Sequence, residues 1–435
     1  MKMGGLHTFI PHVLRYQKAI AVPESGGDVL YGARSGTSTD VVIESERSII
    51  RLVEIIIERA HAARASDIHF DPRADGLQVS LRIDGVLESA HKLPMTSHSE
   101  IISRIKILSG LRIDEHYSPQ DGRFRMVIPS SVSIDVRVSI VPTYYGENAV
   151  LRLLSDAAES FSLANLGFTI RNRDMITRAL ARSYGMILAT GPTGSGKTTT
   201  MYTLIKMLAE PGISIVTLED PIEYSIAGVS QIQINPKTGL TFGNGLRSIL
   251  RQDPNVIMVG EIRDGETAGL AVNTALTGHR LLSTVHTNDA PTTITRLLDM
   301  GVEPYLIAST ISLAIGQRLV RRICESCKIV HLLDDGEIVS LSGIVPPEFL
   351  QAMPTFFRGA GCAACNGSGF FGRAGIHEVM EISPAIRTAI TTKLPASEIA
   401  HVARSEGMVP LMMDGFRKAA RGITTVSEVL KMRYE

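Results

Sequence analysis

The chain has 435 residues, enough for two to three domains around substantial buried cores. Lysine plus arginine and aspartate plus glutamate balance at 44 each, so no global charge draws it toward nucleic acid or an anionic surface. No apolar run reaches the roughly 18 uninterrupted residues of a membrane span, and the N-terminus, with His7, His12 and Arg15 but no compact apolar stretch, does not read as a secretory leader, so a cytoplasmic protein is expected.

Residues 1–45 are weakly patterned, and 25–39 is rich in glycine and serine, which reads as an extension or docking arm. Apolar residues then recur at helical spacing (Ile49, Ile50, Leu52, Val53, Ile56, Ile57, Ala60), predicting an amphipathic helix over 46–63. Val79, Leu81 and Ile83 alternate with polar residues, as do Val132, Ile134, Val136, Val138 and Ile140. Each run reads as a half-buried strand, with turns at Asp84-Gly85 and Asp121-Gly122. An α+β domain therefore fills 46–155, and 156–166 reads as a linker. Arg82, Arg123, Arg137 and Arg152 fall on its strand segments, where a solvated sheet face is their plainest role.

From 167 strands and helices alternate as in a parallel nucleotide-binding sheet, so the fold class is α/β. A helix over 171–183 and an apolar strand at 186–189 lead into Gly191-Pro192-Thr193-Gly194-Ser195-Gly196-Lys197-Thr198-Thr199, followed by a helix. Strand, glycine-rich turn and helix are the context that makes G-x-x-x-x-G-K-[ST] a phosphate loop. Its inward N–H groups and the new helix's N-terminus cradle polyphosphate. Lys197 would reach the β/γ-phosphates, and Thr198 would take a position on Mg²⁺. The strand 213–218 ends at Glu219-Asp220-Pro221-Ile222-Glu223, and the strand 255–259 ends at Gly260-Glu261. Acids beyond parallel strand ends face a bound ligand, so Glu219 and Glu261 both qualify to hold the metal's water shell or to activate water. A helix over 266–276 closes at Thr277-Gly278, and the strand 280–285 ends at His286. His279 and His286 are each either a relay to the γ-phosphate or a structural imidazole.

All four cysteines follow, as Cys324-Glu325-Ser326-Cys327 and Cys362-Ala363-Ala364-Cys365. Two C-x-x-C knuckles suit a closed, structural Zn²⁺ site; the alternative is a pair of disulfides, disfavoured in a reducing compartment. The tail shows helical patterns broken by Gly407, Pro410 and Gly422 and carries no chemistry of its own.

Taken together, Arg64-Ala65-Ser66-Asp67-Ile68-His69-Phe70, Pro119-Gln120-Asp121-Gly122-Arg123, the phosphate loop, Leu218 to Glu223, Leu250-Arg251-Gln252-Asp253-Pro254, Gly260-Glu261-Ile262-Arg263-Asp264 and the segment from Thr277 to Asn288 resemble the secretion ATPases of type II secretion and type IV pilus assembly. The resemblance covers 47 to about 430. It implies a PAS-like domain at 46–155, a RecA-like ATPase core at 167–320, a tetracysteine zinc subdomain at 321–375 and a helical region at 376–435. It implies a homo-hexamer that uses ATP and Mg²⁺ and works on an inner-membrane platform protein, to which it is held peripherally. By the same resemblance Arg137 and Arg152 reach the nucleotide, and Arg247 and Arg251 approach from a neighbouring subunit. Retraction ATPases of that superfamily generally lack the four cysteines. Many relatives carry a further N-terminal domain that docks on the membrane partner, whereas about 45 residues precede the PAS-like region here. A DNA-translocating or retraction motor, and a nucleotide-regulated scaffold with little turnover, are the rival readings.

Overall fold

In the computed structural model, residues 46–128, 133–154, 161–341, 344–345 and 355–433 are described. The expected N-terminal extension and residues 155–160 of the expected linker lie outside them. Among the described residues no helix is long and apolar enough to cross a membrane. The apolar run at 305–320, the longest in the sequence, is divided between a short helix and a strand.

The first half is a six-stranded antiparallel sheet carrying two helices. Its elements are α1 (Glu46–Ala62), β1 (Ala65–Arg73), β2 (Gly76–Ile83), β3 (Val86–Leu93), α2 (His98–Leu108), β4 (Gln120–Val127), β5 (Ser133–Thr143) and β6 (Gly146–Leu154), in the strand order β3-β2-β1-β6-β5-β4. The alternation in β5 does what a period of two requires: Ile134, Val136, Val138 and Ile140 point inward, pack with Ile49, Val53 and Ile57 of α1 and Ile101 and Ile105 of α2, and are all buried. The opposite face is left for polar side chains.

The second half holds a seven-stranded sheet covered by helices on both sides. After α3 (Ile170–Leu180), the phosphate-loop strand β7 (Gly185–Thr190) runs into α4 (Lys197–Leu208). Then come β8 (Ile215–Glu219), β9 (Ser230–Gln233), α5 (Phe242–Ile249), β10 (Val256–Val259), α6 (Gly265–Leu276), β11 (Arg280–Val285), α7 (Ala290–Asp299) and α8 (Pro304–Thr310). The long β12 (Ile311–Ile323) follows, and its antiparallel partner β15 (Phe370–Glu381) closes the edge. The order is β15-β12-β7-β11-β10-β8-β9, with every pairing but β12–β15 parallel. Strands β7, β8 and β10 are buried along their whole length, as expected when helices cover both faces.

β12 and β15 overrun this sheet, and the cysteine pairs sit at their far ends with the ribbon β13 (Lys328–His331) and β14 (Phe356–Gly359) and the helix α9 (Asp335–Leu341). The boundaries expected at 320/321 and 375/376 therefore fall inside two continuous strands, and 376–381 is strand rather than helix. Helices α10 (Pro384–Thr391) and α11 (Ala396–Ser405) join the core of the large sheet. Helices α12 (Leu411–Ala420) and α13 (Val426–Lys431) pack Phe416, Ala419, Val426 and Val429 against Leu341 and Phe356.

Among the described residues, hydrogen bonds and ion pairs join the two halves at two places. Arg137 pairs with Glu223 at 3.1 Å and donates to the carbonyl of Ile222. Asp84 accepts from Gly372 N–H at 2.8 Å while Arg64 lies 3.5 Å over the Phe371 ring, close after the second cysteine pair.

Candidate nucleotide site and metal centre

The phosphate loop curls because three glycines take left-handed angles, with φ of +147° at Gly191, +79° at Gly194 and +86° at Gly196. At Gly191 the need is also steric: a Cβ there would stand 2.4 Å from the Gln317 carbonyl oxygen. Thr193 and Gly194 form an exposed tip next to Pro192, Ser195 is buried, and Thr198 and Thr199 are half-buried in the first turn of α4. Lys197, only 9 % exposed, donates to the carbonyls of Gly191 at 2.8 Å and Pro192 at 2.9 Å. Burial lowers its pKa to about 8; the Glu261 carboxylate opposes the fall and the Arg318 guanidinium adds to it.

The two expected acids end up in different settings. Glu219 is 2 % exposed, and its oxygens accept from Tyr202 OH, from Thr217 Oγ1 at 2.5 Å and from Gln231 Nε2 at 3.1 Å. A carboxylate so occupied is a buried strut joining β8, α4 and β9. Glu261, just past β10, faces Arg263 at 2.5 Å and His286 Nε2 at 3.0 Å. Burial pushes its carboxyl up, but Arg263 and His286 outweigh that and hold it below the usual range, so it is an anion at neutral pH. Lys197, Glu261 and His286 thus form one constellation at the ends of β7, β10 and β11. Thr190, the last residue of β7, bonds Thr287 through its hydroxyl and fixes the loop that carries His286. His279 is elsewhere: its ring lies 3.2 Å from the Thr274 carbonyl, at the end of α6.

The polar face of the first sheet carries a row that single strands do not reveal. In the pairing register Arg123 stands opposite Arg137, Arg137 opposite Arg152, Arg152 opposite Asp67, and Asp67 opposite Arg82. Asp67, nearly buried, bonds Arg152 Nε at 2.9 Å and lies 3.6 Å from Arg82. Burial pushes its carboxyl up, and Arg152, Ser66 and Arg82 bring it below the ordinary range. Arg123, Arg137 and Arg152 line a cleft of about 750 Å³ whose other wall includes Pro221 and Gln233. So the strand arginines are not a bare solvated face; one of them spans to the acidic turn after β8. Arg247 on α5 pairs with Glu266 at 2.7 Å, and Arg251, in the turn just past α5, bonds Ser248 and the Arg247 carbonyl; both are exposed.

Two residues at the loop were not singled out from the sequence. Gln317 and Arg318, both at least 95 % buried, lie on β12 beside the phosphate loop. Their signal was present: a polar pair inside the largely apolar stretch 305–320.

The four cysteines carry free thiols, not disulfides, and their sulfurs all lie within 4.8 Å of one another. Sulfur separations of 3.8 Å (Cys324 to Cys362), 3.8 Å (Cys327 to Cys365) and 3.7 Å (Cys362 to Cys365) match the roughly 3.8 Å edge of a tetrahedron with Zn–S bonds of about 2.3 Å. Burial pushes the Cys365 thiol up, but backbone N–H groups of Cys362 and Gly369, each 3.2 Å from its sulfur, bring it down to about 6. The donor set fits a closed zinc site.

The sequence matches the family described as "Type II/IV secretion system protein" over residues 43–431. It is 45 % identical over 390 residues to the type IV pilus assembly ATPase PilB of Thermus thermophilus, covering 90 % of this chain and 43 % of that protein. To the type II secretion system protein E of Pseudomonas aeruginosa it is 43 % identical over 392 residues, covering 90 % of this chain and 77 % of the relative. It thus spans less than half of the first relative's length and about three quarters of the second's. The ATPase DotB of Yersinia pseudotuberculosis shares the fold, with a TM-score of 0.68 at 20 % identity over 93 % of this chain and 97 % of that one. On the extent of the sequence match, the chain belongs to the Type II/IV secretion system protein family.

Proposed function

We propose that this chain hydrolyses ATP and that the reaction moves its N-terminal half against its ATPase core, as part of a motor for pilus assembly or type II secretion. The observation that carries the reading is the single cluster made by the phosphate loop, Lys197, Glu261 and His286. Phosphoryl transfer asks a protein for positioning and charge neutralisation more than for covalent chemistry. The loop N–H groups and Lys197 hold the β- and γ-phosphates. Thr198 would hold Mg²⁺, which would supply charge neutralisation when bound. Glu261 orients the attacking water, and His286, 3.0 Å away, keeps the carboxylate ionised and senses loss of the γ-phosphate. Glu219 supports the site from behind.

Arg152, aligned by Asp67, and Arg137, held at Glu223, act as the clamp that closes the cleft on nucleotide; Arg247 on α5 and Arg251 just beyond it, both exposed, serve a neighbouring subunit's site in a homo-hexamer. In this reading the first half is the PAS-like domain and the second the RecA-like motor, held at an inner-membrane platform protein in the cytoplasm. The thiolate cluster favours an assembly or secretion motor over a retraction motor, and the even charge speaks against a DNA translocase.

Steady-state ATPase assays test the division of labour. Glu261→Gln is expected to lower kcat at least about 10²-fold while ATP still binds. Glu219→Gln, which leaves a neutral acceptor among neutral donors, is expected to keep most of the turnover. The reverse ranking would move the catalytic carboxylate to Glu219. Arg137→Ala is expected to cost about 10²-fold in kcat with little loss of melting temperature, since its contacts lie between the halves and not in either core. Turnover at the wild-type rate in that variant would remove the clamp.

A further inference from the structure

We propose that Gln317 is a positioning residue of the nucleotide site: its carboxamide sets the peptide plane between Ser195 and Gly196, so that the Gly196 N–H is presented to a bound polyphosphate. The inference rests on the nucleotide reading above and assigns a role to a strand that carries no phosphate-loop residue.

β12 runs parallel to β7 with Gly316 opposite Thr190, so the next residue comes abreast of the phosphate loop just where β7 ends. Gln317 then meets the loop twice and the helix that follows it once. Its carbonyl oxygen fills the space that a side chain at Gly191 would need. Its Nε2 donates to the Ser195 carbonyl at 2.6 Å. Its Oε1 accepts from Thr200 Oγ1 in α4 at 2.8 Å. A backbone carbonyl can only accept, so the amide's orientation is fixed by chemistry: nitrogen toward Ser195, oxygen toward Thr200.

In a trans peptide the C=O of one residue and the N–H of the next point in opposite directions. Pulling the Ser195 C=O outward onto Gln317 therefore aims the Gly196 N–H to the concave side of the loop. Gly196, at φ +86°, tolerates other orientations, and without the strut that peptide would be free to turn over. The bond to Thr200 locks the amide from the other side and sets the loop against the helix that follows it. The amide offers a donor to one partner and an acceptor to the other from separate atoms. Gln317 is 2 % exposed, so no solvent replaces a lost partner.

Gln317→Glu keeps shape and acceptor but places a carboxylate oxygen against the Ser195 carbonyl. Titration with N-methylanthraniloyl-ADP is expected to show at least an about tenfold weaker Kd, with KM for ATP rising in step and kcat at saturating ATP within about threefold of wild type. Thr200→Val, which removes only the lock, is expected to move Kd the same way by about threefold. A general loss of stability would lower Tm without this split between affinity and turnover. A folded Gln317→Glu with Kd within about twofold of wild type, or with kcat lost at unchanged affinity, overturns the assignment. Should that variant not fold, an unchanged Kd in Thr200→Val overturns it instead. Wild-type protein that binds no nucleotide overturns the proposed function itself, an outcome distinct from either.

Discussion

Replacing Lys197 by alanine is expected to abolish ATP turnover, by about 10³-fold or more, while leaving melting temperature and zinc content near those of the parent chain. The ammonium group is nearly buried, yet its two hydrogen bonds go to carbonyls of the loop itself, and Gly191 and Pro192 are held in place independently by the glycine geometry and by β12. Its stem fills little of the core formed by Met201, Tyr202 and Ile205 on the same helix. The loss therefore falls on charge at the phosphates and not on packing. A pH signature accompanies it. Burial holds the nucleotide-free ammonium at about 8, so it begins to lose its proton near that pH, well below an ordinary lysine. Bound polyphosphate favours the charged form and raises that pKa. Binding should then take up a proton in the window just above pH 8, and affinity should fall as pH rises through it. Calorimetric titration in two buffers of different ionisation enthalpy measures the uptake, and in Lys197→Ala it should vanish. Retention of most of the turnover by that variant would contradict the mechanism.

The phosphate loop, the strand that precedes it and the helix that follows were legible because the signal is local: an apolar run, glycines at fixed offsets, and a helical pattern. The same is true of β11, which spans the expected 280–285, and of α1, which ends within one residue of the expected position. What the sequence could not separate is decided by neighbours distant in the chain. Glu219 and Glu261 both end parallel strands, and nothing local told them apart. Tyr202, from α4, and Gln231, from β9, occupy the first; Arg263 and His286 pair with the second, whose charge acts on the lysine. The arginine row depends on the register of five strands, which periodicity within one strand does not fix. Two of the expected domain limits fall inside strands for a related reason. β12 and β15 are paired from Leu313 to Ile323, so hydrogen bonding carries both strands without a break past 320/321 and 375/376.

Protein purified without chelator should hold about one zinc per chain, and removing it should unfold the far end of the β12–β15 pair while sparing the nucleotide site. The first cysteine pair follows β12 and the second precedes β15, so the metal would close the open end of a ribbon whose other end lies inside the large sheet. Cys324 N–H bonds the Gly369 carbonyl, and Ala360 N–H bonds the Cys327 carbonyl, which ties the first knuckle to the segments just before and just after the second. Phe356 of β14 is buried against α12 and α13, but Ile329 and Val330 of β13 are exposed, so apolar burial supports one strand of the tip and leaves the knuckles to the metal. Structural zinc contributes an apparent binding free energy on the order of 10 kcal/mol, which here would be folding energy for the tip. Cys324→Ser, or chelation of the parent chain, should therefore speed amide exchange in 324–331 and 356–365 many-fold, whereas β10 and β11, deep in the large sheet, stay protected. Because Asp84 and Arg64 hold on to Gly372 and Phe371 just beyond the second knuckle, loosening the tip should also slacken the contact between the halves. ATP would then still bind but be hydrolysed more slowly, through a clamp no longer braced at its second point. Metal analysis that finds no zinc would reject the thiolate site, and exchange unaffected by zinc removal would leave the tip standing on its own packing.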